Sequence, residues 1–196
     1  MKKFNDYDKT RSYSDAQQLP KGGYVLRIMN AEEKENQNGK YIQIACDIEE
    51  GDFKGFFMAD WKAQEREDKK WHCNFLLNEP KDDGSEKDGW TKRRFKTVVE
   101  AIEDSNSGYH WDWDERKWKN KLVGGLFNIR EYEAQNGEIR QDTNLKQFCS
   151  VEKIRSGSFK LPKDDLKNRS ALAPVAQAGS DDFMPIPDSS EEVPWN

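Results

Sequence analysis

The sequence predicts a mainly β domain: a five-stranded Greek-key barrel with a helix between strands 3 and 4, an extra short helix and a disordered C-terminal tail. Three observations carry this. From Gly39 to Ile48, the residues Ile42, Ile44, Cys46 and Ile48 alternate with Tyr41, Gln43, Ala45 and Asp47, the period of a strand with one buried face. From Trp90 to Asp104, Phe95, Val98, Val99 and Ile102 recur at helical spacing, which predicts an amphipathic helix. Beyond Lys160 the chain turns to Ala, Pro, Ser and Asp, with four of its seven prolines after Ser170. Such a segment buries too little apolar surface to offset its ordering entropy.

The 196 residues fit one domain with appendages. Residues 1–20 read as a flexible N-terminal segment, 21–160 as the folded domain and 161–196 as the tail. Hydrophobic residues make up only 34%, yet aromatics reach 12%, and mean hydropathy is -1.10. A small core rich in large rings follows. No run approaches a membrane span, and the N-terminus lacks the apolar core of a signal peptide. Cys46, Cys73 and Cys149 are odd in number and widely spaced, as expected of buried free thiols in a reducing cytoplasm. With His72 and His110 as the only histidines, no metal-ligand spacing arises, and neither a metal nor another cofactor is expected.

The net charge is -5, which taken alone argues against a generic nucleic-acid binder, but the charge is unevenly distributed. Residues 170–196 contain no Lys or Arg and five acids, Asp181, Asp182, Asp188, Glu191 and Glu192. Taking those five from the 37 acids leaves 32, equal to the 32 basic residues. The body is neutral and the tail carries the whole excess.

Taken in order, Gly22-Gly23 opens a first strand, Tyr24 to Ala31, with Tyr24, Leu26 and Ile28 on one side and Val25, Arg27 and Met29 on the other. Glu32 to Asn38 is a charged connection closing on the Asn38-Gly39 turn. Strand 2 follows. Glu50-Gly51-Asp52 supplies turn chemistry, and Phe53 to Met58 begins an aromatic third strand. Ala59 to Lys70 suits a short solvated helix, His72 to Leu77 an extended segment, and Glu79 to Gly89 a polar loop. After the Trp90–Asp104 helix, Trp111, Trp113 and Trp118 lie among acids and suit packing over the barrel end. Leu122 to Tyr132 reads as a strand kinked at Gly124-Gly125. Asn136-Gly137 turns the chain into a last long strand, Ile139 to Ile154. This order matches the oligonucleotide/oligosaccharide-binding (OB) fold, whose ligand face is the outside of strands 2 and 3. It also fits another small α+β sheet.

That outer face, with rings and basic ends, suits a flat, stackable, anionic ligand. Stacked bases contribute roughly 1–3 kcal/mol each, and a positive groove tracks their phosphates. The candidate contacts are Arg27, Lys40, Tyr41, Gln43, Lys54, Phe56, Phe57, Trp61, Trp90, Lys92, Arg93 and Arg94. For each ring the alternative is a place in the core, and for Lys92 to Arg94 a solvated helix start. Catalytic patterns are absent: there is no phosphate-cradling loop, zinc spacing or nucleophile triad. Asp47, Glu49, Glu50 and Asp52 offer one carboxylate cluster for a nuclease metal, against which stands a simple solvated turn. At the end of the chain, Glu191-Glu192-Val193-Pro194-Trp195-Asn196 sets acids beside an apolar residue, Pro and a ring. Asp181-Asp182-Phe183 begins a similar arrangement upstream. Acids steer toward basic pockets and a ring anchors the contact.

This ending is similar to the acidic, Pro-aromatic tip of bacterial single-stranded-DNA-binding proteins, which recruits replication and repair enzymes. It differs in having Trp195 where the usual residue is Phe, and Asn196 beyond the ring. The body resembles phage proteins of replication or recombination modules, some regarded as single-stranded-DNA-binding. The likeness rests on Tyr41-Ile42-Gln43, Asp47 to Gly51, Phe53 to Phe57 and Ser105 to Asp114. Lys121 to Gly125 and Glu131 to Glu133 extend it. The resemblance implies sequence-tolerant binding of single-stranded DNA in the host cytoplasm, without covalent chemistry. The tail would recruit replication or recombination proteins, and a homo-oligomer is compatible with this. The rivals are an adaptor that docks host replication enzymes without touching DNA, and a metal-dependent nuclease.

Overall fold

The computed structural model describes residues 18–134 and 136–167. Five strands form one antiparallel open sheet in the order β3-β2-β1-β4-β5. They are β1 (Gly22–Asn36), β2 (Gly39–Ile48), β3 (Asn74–Asn78), β4 (Leu122–Glu133) and β5 (Ile139–Cys149). Three α-helices accompany them: α1 (Phe56–Ala63), α2 (Glu86–Ser105) and α3 (Val151–Ser156). No helix among the described residues is long and apolar enough to cross a membrane.

The alternation in β2 does what a period of two requires: Ile42, Ile44, Cys46 and Ile48 are all buried. They meet Leu26 and Ile28 of β1, Phe75 and Leu77 of β3, and Phe127, Leu145 and Phe148 from the other half of the sheet. α2 lays Phe95, Val98, Ala101 and Ile102 on this core. Its N-terminus is capped by Ser85, whose hydroxyl accepts from the Asp88 amide at 3.1 Å. The edge strands converge, with the rings of Phe75 and Phe148 centred 4.5 Å apart. Cys46, Cys73 and Cys149 are free and buried, and burial pushes each thiol up from its ordinary value.

Four boundaries differ from the sequence reading. Phe53 to Met58 is not a strand: Gly51 and Gly55, both at positive φ, turn the chain into α1. The third strand is Asn74–Asn78, overlapping the His72 to Leu77 stretch expected only to be extended and running one residue past it. β1 runs on through the supposed charged connection to Asn36, because both faces of that hairpin arm remain in solvent and tolerate charge. The last strand stops at Cys149, and Ser150 opens α3. Residues 161–167, assigned to the tail by composition, run beside β4. There the Asn128 amide donates to the Lys163 carbonyl at 2.8 Å, and Arg130 pairs with Asp165 in a parallel bridge.

Gly124-Gly125 does mark a special place, through close approach rather than a kink. A Cβ on Gly124 would lie 2.8 Å from the Ser150 carbonyl oxygen, and one on Gly125 only 2.3 Å from Leu26 Cδ1. The irregularity in pairing falls one residue later, between Leu126 and Phe127. Gly125→Ala is therefore expected to cost about 1–3 kcal/mol by overpacking, read as a lower urea midpoint at unchanged m-value.

Candidate nucleic-acid interface

The outer side of β2 and β3 presents Tyr41, Gln43 and Ala45 beside Asn74, Leu76 and Asn78, by the alternation that buries their neighbours. These six side chains are uncharged, with Asp47 following on the same side of β2 and Glu32 of β1 paired across from Gln43. Tyr41 is partly exposed and Leu76 is 50% exposed. Gln43 donates to Asn74 Oδ1 at 3.0 Å, which fixes one amide pair across the strands. The surface therefore offers a ring, an aliphatic side chain and amides, all neutral.

Basic and aromatic groups stand together at two further places. At the end of α1, Trp61 is 36% exposed with Lys69 Nζ 5.1 Å from its ring centre. On α2, Trp90 is 63% exposed and the Arg93 guanidinium lies 5.2 Å from its ring. Beside it, Arg94 covers the Phe75 ring of β3 at 4.8 Å. Neither Arg93 nor Arg94 forms a salt bridge among the described residues. A guanidinium held over a ring keeps its donors free at the edge, the arrangement that suits phosphate beside a stacked base.

The other candidates are placed differently. Phe57 is buried and stacks on Phe127 at 6.1 Å, so it belongs to the core. Phe56 is half-buried on α1, edge-on to Phe53 and Phe57. Lys40 is paired with Glu33 at 2.7 Å. Lys92 is held by Asp82 and by Asp88, the latter at 2.9 Å. Arg27 and Lys54 share Glu49, at 2.7 and 3.0 Å. Of the three clustered tryptophans, Trp118 is fully buried and Trp111 packs against the core, whereas Trp113 is 80% exposed. The recruiting residues Asp181, Asp182, Phe183, Glu191, Glu192, Val193, Pro194 and Trp195 lie outside the described residues.

The supposed metal cluster dissolves into separate tasks. Asp47, expected on the exposed face of β2, is 6% exposed and accepts from the Phe57 and Met58 amides at 3.0 and 3.3 Å. Glu50 pairs with Arg155. No group of three or more His, Cys, Asp or Glu side chains among the described residues is placed to hold a metal ion. Glu49 has a measurable signature: hydrogen bonds from Arg27, then Lys54, hold its carboxyl at about 2 against an ordinary 4.5. A depressed carboxyl pKa stabilises the fold above the unfolded value and loses that contribution as pH falls through the folded one. Urea unfolding between pH 5 and about 2 should thus show a loss of stability that Glu49→Gln flattens.

No protein-family model matches the chain, and no curated protein is significantly similar to it.

Proposed function

We propose that this protein binds single-stranded DNA without strong sequence preference, using an OB-type barrel and doing no covalent chemistry. The strand order with β3 and β5 converging at the edges, and α2 lying between β3 and β4 in the chain, supports that fold. The observation that carries the function is the exposed indole of Trp90 under the Arg93 guanidinium, with Arg94 next in the chain over the buried ring of Phe75. The outer stretch of β2 and β3 with Tyr41 and Gln43 adds a ring and an amide to this reading. Bases stack on the rings while phosphates are met by cations that no carboxylate already holds. Lys40, Arg27 and Lys54 contribute less directly, because phosphate must displace their carboxylate partners first. The tail, with Trp195 near its tip, recruits replication or recombination proteins to the coated strand.

Fluorescence anisotropy with labelled oligo-dT at two salt concentrations tests this. Binding at micromolar or tighter concentration should weaken as salt rises, through counterion release, and tryptophan emission should be quenched stoichiometrically. Absence of binding, together with a partner pulled down only when Trp195 is intact, would replace this reading with the adaptor.

A further inference from the structure

A cavity lies on the core-facing side of β2, between the far end of the β1–β2 hairpin, α2 and the loop after it. It measures about 640 Å³, within the range of ligand-sized clefts. Ile42, Phe95, Val99 and Trp111 give it an apolar floor. Trp113 forms one wall, stacked over Phe95 at 6.4 Å and held at a φ of 68° that a bulky side chain rarely adopts. Glu33, Glu79, Asp82 and Glu115 stand around the opening with Lys92 and Lys96.

The balance of charge there is negative. Lys92 is held by Asp82 and Asp88, and Lys96 leans toward Glu100 at 3.6 Å. Glu33 has Lys40, but Glu79 and Glu115 have no salt bridge among the described residues. Burial first, and then the charge of Glu33, raises the Glu79 carboxyl above its ordinary value, with Glu115 adding to the effect. Glu33, Glu79 and Glu115, crowded over an apolar floor, repel DNA phosphate and the acidic tail alike. They favour a cation, and the floor favours an apolar group joined to it.

We infer that this cavity is a docking site for a basic segment of a partner protein, one whose Lys or Arg side chains flank a large apolar residue. The apolar residue enters between Trp113 and the Ile42–Val99 floor, and the flanking cations meet Glu79 and Glu115. The inference rests on different residues from DNA binding: Phe95, Lys96 and Val99 of α2 line the cavity, whereas Trp90, Arg93 and Arg94 of the same helix are the proposed DNA contacts.

The test uses the full chain and a fluorescein-labelled pentapeptide of lysine, leucine, arginine, phenylalanine and lysine, followed by anisotropy. Saturable binding is expected, unchanged by saturating oligo-dT. It should weaken at least tenfold in Trp113→Gly, where glycine suits the local φ and the fold is spared. A similar loss is expected in Glu79→Gln/Glu115→Gln. A peptide with glutamate in place of the three cations should not bind. The inference fails if neither variant changes the affinity, if no saturable binding occurs, or if spermidine competes as well as the unlabelled peptide. It also fails if Lys2→Glu/Lys3→Glu/Phe4→Ala strengthens peptide binding tenfold, because the chain's own N-terminal segment would then be the occupant.

Discussion

Trp90→Ala is expected to raise the Kd for oligo-dT about 5- to 150-fold at fixed salt, the equivalent of the roughly 1–3 kcal/mol that one stacked base contributes. The indole is 63% exposed, and its described ring contact is with the Arg93 guanidinium, so its loss leaves the core intact. Urea midpoints should stay within about 0.5 kcal/mol of the parent, as for other surface substitutions. Arg93→Ala/Arg94→Ala separates the electrostatic part from the stacking part. If each guanidinium neutralises one phosphate, the slope of log K against log salt should become shallower by about 1.4. Trp90→Ala should shift that line without tilting it. Equal affinity for oligo-dT in all of these variants would remove α2 from the interface and leave the β2–β3 face to account for any binding.

Why α2 carries the best-placed candidates while others fell away is a matter of partners rather than of residue type. Lys40, Lys54, Arg27 and Lys92 look like free cations in the sequence. Three of them acquire a carboxylate from a neighbouring turn or a paired strand, as with Lys40 and Glu33 or Arg27 and Glu49, and Lys92 is held by Asp82 and by Asp88 one turn back on its own helix. Ion pairs of that kind depend on hairpin register, which the linear order does not reveal. The alternation of β2 and the helical spacing of α2 were legible because both faces of the pattern are set by local geometry. The third strand was not. Phe53 to Met58 has aromatic content that suits a strand, but Phe53, Phe56 and Phe57 sit on a turn and a helix start because Gly51 and Gly55 take left-handed conformations there. Those glycines were the available signal. Trp113 and the acid-rimmed cavity were illegible for a further reason. Ile42, Phe95 and Glu115 come from three separate stretches, and only folding brings them together.

Asp47 illustrates the same limit and supports the larger stability prediction. Alternation places it opposite Cys46 and Ile48, on the face expected to meet solvent. Instead α1 returns over the end of β2 and seals it. Its Oδ1 accepts from its own neighbour Ile48 at 2.8 Å and from Phe57 at 3.0 Å, and its Oδ2 from Met58 at 3.3 Å. The N-cap residue of α1 is Gly55, which has no side chain to satisfy the first amides of the helix. The carboxylate does that work from another element. Burial first, with the charge of Glu49 adding, raises its pKa despite the three amides that lower it, so the group is poorly solvated and depends on those bonds. Asp47→Ala leaves the Phe57 and Met58 amides unpaired beside the core, with an expected loss of about 2–4 kcal/mol. Asp47→Asn, which keeps one acceptor oxygen, should lose roughly half as much. Urea unfolding of both variants measures this, and hydrogen exchange at Phe57 and Met58 localises it: protection should fall there first, while Ile44 and Leu26 in the sheet follow only global unfolding. Because α1 carries Trp61, the same variants should also redden tryptophan emission before the main transition. Two variants as stable as the parent would mean that Asp47 contributes no cap to α1.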